Sequence, residues 1–91
     1  MSNSKQHINT DEVTILIVED SAIQAEFLKR KLLAQDYQII MAVDGQQGLQ
    51  MIESERPSLV LSDVNMPIMN GLELCREVKS NQDLKKTKFI M

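Results

Sequence analysis

Three carboxylates stand where two apolar runs stop. Glu19-Asp20 follow Val13-Thr14-Ile15-Leu16-Ile17-Val18, and Asp63 follows Ser58-Leu59-Val60-Leu61-Ser62. If the two runs are neighbouring parallel strands, their carboxyl ends open on the crevice where open α/β sheets bind ligands. Two like charges ~4 Å apart repel by roughly 1 kcal/mol in water and by ~4 kcal/mol at an effective dielectric of 20, so such a trio demands a cation. Every donor is oxygen, with no His or Cys nearby, which selects a hard ion such as Mg2+ or Mn2+. Mg2+ is usually held by one or two carboxylates together with waters and a phosphate, so a phosphoryl oxygen is the natural remaining ligand. Asp63, alone at the start of its loop, is the better candidate for nucleophile toward that phosphoryl group, giving an acyl phosphate. Acidic residues at strand ends also serve as helix caps, but Ser21 and Asn70 already fill those roles here.

The elements that must position these groups form an alternation. Val13 to Val18 is β-branched, apolar on both faces and too short for a helix, which reads as a buried parallel strand. Ser21-Ala22-Ile23-Gln24 fits a capping box and opens a helix expected from about Ala22 to Gln35. Ile23, Phe27, Leu28 and Leu32 fall on one face of it, while Lys29, Arg30 and Lys31 supply polar cover and suit the C-terminal end of the dipole. Gln38 to Val43 is a second strand. Asp44-Gly45-Gln46-Gln47 caps a second helix whose Leu49 and Ile52 face inward and which Pro57 ends. Ser58 to Ser62 is the third strand, and the loop from Val64 to Gly71 leads to a third helix, with Asn70 as cap and Glu73 three positions on. Its inward residues are expected to be Leu72, Cys75 and Val78. A polar stretch, Asn81 to Lys86, precedes Thr87 to Met91, the start of a fourth strand.

Strand and helix alternating over short connections predict right-handed βαβ units: an α/β domain, its sheet parallel, with helices on both faces. Residues 1–12 are read as a polar N-terminal tail and residues 13–91 as the domain. At 91 residues and 43% hydrophobic content one domain with a modest core is the ceiling. Ten basic against 13 acidic residues give no electrostatic support to direct nucleic-acid binding. No apolar run approaches the ~18 residues a membrane span requires, and the tail has no signal-peptide core, so a cytoplasmic location away from the membrane is expected. The single cysteine, Cys75, excludes an internal disulfide, and one Cys with one His cannot build a zinc site.

Ile15-Leu16-Ile17-Val18-Glu19-Asp20-Ser21, then Asp44-Gly45, then Leu61-Ser62-Asp63-Val64-Asn65-Met66-Pro67-Ile68-Met69-Asn70-Gly71, resemble the receiver domain of two-component response regulators. The acidic pair, the Asp-x-x-Met-Pro-x-Met-x-Gly loop and the spacing between them carry the resemblance, which covers the chain from about Val13 onward. It implies a flavodoxin-like sheet and a signalling phospho-acceptor that at most catalyses its own phosphorylation and dephosphorylation. Asp63 would accept the phosphoryl group from a sensor histidine kinase or a histidine phosphotransfer protein. Asp20 would bind Mg2+ directly, Glu19 through water, and Asn65 through its backbone carbonyl, with Mn2+ able to substitute. Met66-Pro67 and Gly71 would shape the loop, Gly71 by permitting backbone angles a side chain forbids.

Two departures from the family pattern follow. Gly48 stands where a better helix former, usually Ala, is expected, at a cost of about 1 kcal/mol in propensity. The chain also stops within strand 4, about two residues short of the Ser or Thr that the family places there. The strand 5 Lys, helix 4 and helix 5 are not reached, so a domain cut off within strand 4 is expected.

Other residues have plainer readings. His7 lies in the tail, without the organised neighbours a phospho-donor needs. Cys75 and the methionines Met66 and Met69 read as packing, and Lys85, Lys86 and Lys88 as a solvated loop. Two other functional classes compete with the phospho-acceptor. A cut-off, phosphorylation-deficient fragment would assemble or swap elements as a homo-oligomer through an exposed strand edge. A flavodoxin-like cofactor binder lacks a phosphate loop after strand 1.

Overall fold

Every residue from Ile15 to Val18 is buried in β1, Thr14–Val18, because this strand lies inside the sheet and is covered on both faces. The computed structural model describes residues 13–33 and 35–91, so the tail and His7 lie outside the described residues. β1 is followed by α1 (Ala22–Leu33), β2 (Gln38–Ala42), α2 (Gly45–Glu55), β3 (Leu59–Ser62), α3 (Gly71–Lys79) and β4 (Lys88–Ile90). The strands form one parallel sheet in the order β2-β1-β3-β4. Thr14 pairs with Gln38 and Val18 with both Ala42 and Ser62, so β1, β2 and β3 end level with one another. The expected α/β class and flavodoxin-like parallel sheet are therefore present.

Alternation along the strands divides the interior. Leu16, Val18, Ala42 and Val60 join Ile52 of α2, Leu74 and Val78 of α3, and Leu84 in one core, with Phe89 of β4 packed against it. On the other face α1 lies over β1 and β2 and buries Ala25. This corrects the expected inner face of α1: Ile23 is 83% exposed and Phe27 60% exposed. Ala25 is the residue of α1 that is turned inward, and at about 100° per residue Ile23 and Phe27 stand ~200° away from it. Leu28 and Leu32 are half-buried beside Ala25 as expected.

α3 is corrected in the same way. Gly71, Leu74 and Val78 are its buried residues, Cys75 is half-buried at the boundary, and Leu72 is 53% exposed. Leu84, within a stretch that reads as purely polar, is only 2% exposed and belongs to the core. Element ends differ by one or two residues: Val43, Ser58, Thr87 and Met91 lie outside the strands, and Gln35 lies in the turn after α1. α2 stops at Glu55 because Arg56 takes a left-handed conformation, φ 48°, immediately before Pro57. Gly48 is buried, and a Cβ there would lie 3.0 Å from Val18 Cγ2 and 3.3 Å from Leu74 Cδ2, so its absence lets α2 pack closely.

The corrected face of α3 has a measurable consequence. Leu74→Ala is expected to cost about 2–5 kcal/mol, enough to unfold most of a small domain, whereas Leu72→Ala should stay within about 0.5 kcal/mol of the parent. Urea unfolding of the two variants checks this, and equal losses would contradict the assignment.

Candidate functional site

Backbone bonds just past the strand ends set the site. The Glu19 N–H donates to the Ala42 carbonyl at 3.0 Å, and the Asp63 N–H donates to the Val18 carbonyl at 3.0 Å. Each bond continues its strand's ladder by one residue, so Glu19 and Asp63 leave the sheet side by side. Carboxylate oxygens of Glu19, Asp20 and Asp63 all lie within 4.8 Å of one another. All three side chains singled out as candidate metal ligands are thus brought together. Asn65, the fourth candidate, lies two residues beyond Asp63 and is exposed.

Local bonds hold two of the acids. The Ser21 N–H donates to Glu19 Oε2 at 3.1 Å, and Ser21 Oγ accepts from the Gln24 N–H at 3.3 Å. The capping box expected at Ser21 is therefore only half formed, because Glu19 accepts the Ser21 amide that Gln24 was expected to take. Asp63 Oδ1 accepts the Val64 N–H at 2.8 Å. Ser62, a buried polar residue absent from the expected site, donates its hydroxyl to the Asp63 carbonyl at 2.9 Å. Nothing in the local sequence distinguishes Ser62 from an ordinary strand serine.

The loop after Asp63 holds a second correction. No glycine has a positive φ; the left-handed residue is Ile68, at φ 72°. Gly71 serves through its lack of a side chain, since a Cβ there would sit 2.2 Å from the Asp63 carbonyl oxygen. The Asn70 cap and Glu73 form a complete capping box, as expected. Met66 and Met69 pack against the core, as expected. The lysines stand apart from the site: Lys85 and Lys86 are exposed in the turn, and Lys88 belongs to β4.

Glu19 is only 7% exposed. Burial pushes its carboxyl above the ordinary value; the Ser21 amide opposes that, while the charges of Asp63 and Asp20 and a hydrogen bond with Asp20 add to it. A buried carboxylate crowded by two others, in a set containing oxygen donors alone, fits a hard divalent cation.

A parallel α/β domain with a carboxylate trio at the carboxyl ends of adjacent strands defines an acidic site whose donors are all oxygen. The model of the family described as "Response regulator receiver domain" matches residues 15–91, and the chain belongs to that family. The response regulator MprA of Mycolicibacterium vanbaalenii is 42% identical over 71 residues, covering 78% of this chain and 31% of that protein. The chain thus spans about a third of the length of such relatives. The signal receiver domain of a histidine kinase from Syntrophus aciditrophicus superposes with a TM-score of 0.82 at 42% identity, covering 85% of this chain and 58% of that one. The response regulator TrrA of Thermotoga maritima, solved in complex with Mg2+-BeF, gives a TM-score of 0.74 at 32% identity, over 78% of this chain and 62% of that one. Among the described residues no helix is long and apolar enough to cross a membrane.

The Glu19 environment fixes a pH dependence. A carboxyl raised in the folded state favours folding below its ordinary value of 4.5, and this contribution is lost as pH rises through the raised value. In chelator, Glu19 is therefore expected to lower stability as pH climbs from the ordinary value toward neutrality, and Glu19→Gln to flatten the decline. Urea midpoints across that interval check it; identical pH profiles for the two proteins would contradict it.

Proposed function

We propose that this chain is the phospho-acceptor portion of a cytoplasmic two-component response regulator. Asp63 receives a phosphoryl group from a sensor histidine kinase or a histidine phosphotransfer protein, and the change switches an output. Convergence of the Glu19, Asp20 and Asp63 oxygens within 4.8 Å, on the motif of the family, carries this reading.

The residues divide the work. Asp20, Glu19, Asp63 and the backbone carbonyl of Asn65 would hold Mg2+, with Mn2+ as a substitute. When bound, the metal neutralises the crowded carboxylates and the charge on the equatorial phosphoryl oxygens. The Val64 amide fixes Asp63 Oδ1, leaving Oδ2 to attack. A bond forms between that oxygen and phosphorus as the P–N bond to the donor imidazole breaks, and the imidazole leaves with the electron pair. The reaction is a stoichiometric transfer onto the chain itself, so the chain acts as a signalling acceptor.

A second reading has its own support. β4 is a sheet edge of three residues, and Ile90 and Met91 are 57% and 51% exposed beside Leu28 and Leu61, next to Glu19 and Asp63. Such an edge offers unpaired backbone groups to a second copy, the route to a homo-oligomer or swapped assembly.

Two experiments test these readings. Intact mass after incubation with acetyl phosphate and Mg2+ is expected to show one phosphoryl adduct, absent from Asp63→Asn and absent in chelator; an adduct that survives in Asp63→Asn would sink the acceptor assignment. Sedimentation velocity across a concentration series addresses assembly. The edge reading expects a dimer that Ile90→Lys dissociates, and a monomer at every concentration removes that reading.

A further inference from the structure

Ile68 is β-branched, left-handed at φ 72° and 73% exposed, so its side chain gains little packing in return for an unfavourable backbone. The Met69 N–H donates to the Pro67 carbonyl at 2.8 Å, closing a γ-turn around Ile68. Something outside the turn must hold it. At the base of the loop the Gly71 N–H donates to the Val64 carbonyl at 2.9 Å. At its tip the Met69 carbonyl accepts the Gly45 N–H, the first amide of α2, at 3.0 Å.

That amide is one of the donors a helix N-terminus leaves without an intrahelical partner. The Asp44 side chain accepts from Gln47 instead, and the Asp44 carbonyl accepts from Gly48. Position 45 also has no room for a side chain, since a Cβ would lie 2.1 Å from the Met69 carbonyl oxygen. Two features of Gly45, an amide with no intrahelical partner and a missing Cβ, thus meet on one carbonyl of the loop that follows Asp63.

We propose that this Gly45–Met69 clasp is a positioning device for the metal site. It holds the strained Ile68 turn against the start of α2 and thereby fixes the Val64–Met66 backbone, whose first amide grips Asp63 Oδ1. Gly45 is a positioning residue: it touches the loop, and the loop carries the ligands. The inference rests on the reading of Asp63 and the Asn65 carbonyl as Mg2+ ligands.

The test uses Mg2+ alone as probe, by calorimetry, on the 91-residue chain and on Gly45→Ala, Gly48→Ala and Asp20→Ala. Gly45→Ala is expected to bind Mg2+ at least tenfold more weakly while still unfolding cooperatively, and Gly48→Ala, the same change one turn deeper in the helix, to bind within about threefold of the parent. Coupling is reciprocal, so Mg2+ should raise hydrogen-exchange protection of the Gly45 amide by at least tenfold in the unmodified chain. This second readout decides the matter if Gly45→Ala fails to fold. No binding by the parent, or binding that survives unchanged in Asp20→Ala, overturns the metal reading and the clasp together. Tight binding by folded Gly45→Ala, equal weakening in Gly48→Ala, or a Gly45 amide indifferent to Mg2+ overturns the clasp alone.

Discussion

Crowding of negative charge at the end of a parallel sheet is the constraint on which this molecule turns. Glu19 and Asp63 are carried to one level because β1 and β3 pair in register and each strand adds one further ladder bond beyond its end. Asp20 follows Glu19 directly, and the three carboxylates meet within 4.8 Å. Folding alone sets these charges against one another. On the proposed function, a sheet that gathers them, buries Glu19 and offers only oxygen donors folds best around a cation.

The surroundings are ordered about that crowding. The Ser21 amide, which a capping box would have satisfied with Gln24, goes to Glu19, so the start of α1 steadies one carboxylate. The Val64 amide steadies Asp63, and the Ser62 hydroxyl takes the Asp63 carbonyl. On the far side of the loop the first amide of α2 reaches the Met69 carbonyl. Two backbone amides thus steady carboxylates directly, and a third, from the start of α2, holds the loop that follows Asp63, which links the packing of the helices to the geometry of the acidic corner.

Much of this was legible in the residues because it depends on local chemistry. A six-residue, largely apolar and β-branched run that stops at two acids reads as a buried strand with charge at its end, and Asn70 with Glu73 reads directly as a capping box. The errors lie where tertiary packing overrides local pattern. The larger Ile23 and Phe27 suggest an inner face for α1, yet Ala25 is the residue it buries, and the two larger side chains stand on the opposite side of the helix. In α3 the sequence favours Leu72 over Leu74 because one stripe spaced at three residues looks much like its neighbour. Leu84 was hidden among polar residues, and its burial depends on where the turn after α3 folds back. The left-handed residue of the loop was assigned to glycine on steric grounds, whereas the Gly45 and Gly71 contacts place it at Ile68, a long-range outcome that no local rule contains.

If the carboxylates oppose one another until a cation joins them, unfolding of the parent chain and Asp63→Asn, each in chelator and in Mg2+, reads that opposition out. Removing one charge should make Asp63→Asn more stable than the parent in chelator, while Mg2+ should stabilise the parent and leave the variant nearly unchanged. A variant less stable than the parent without metal, with equal gains from Mg2+ in both proteins, would contradict the account.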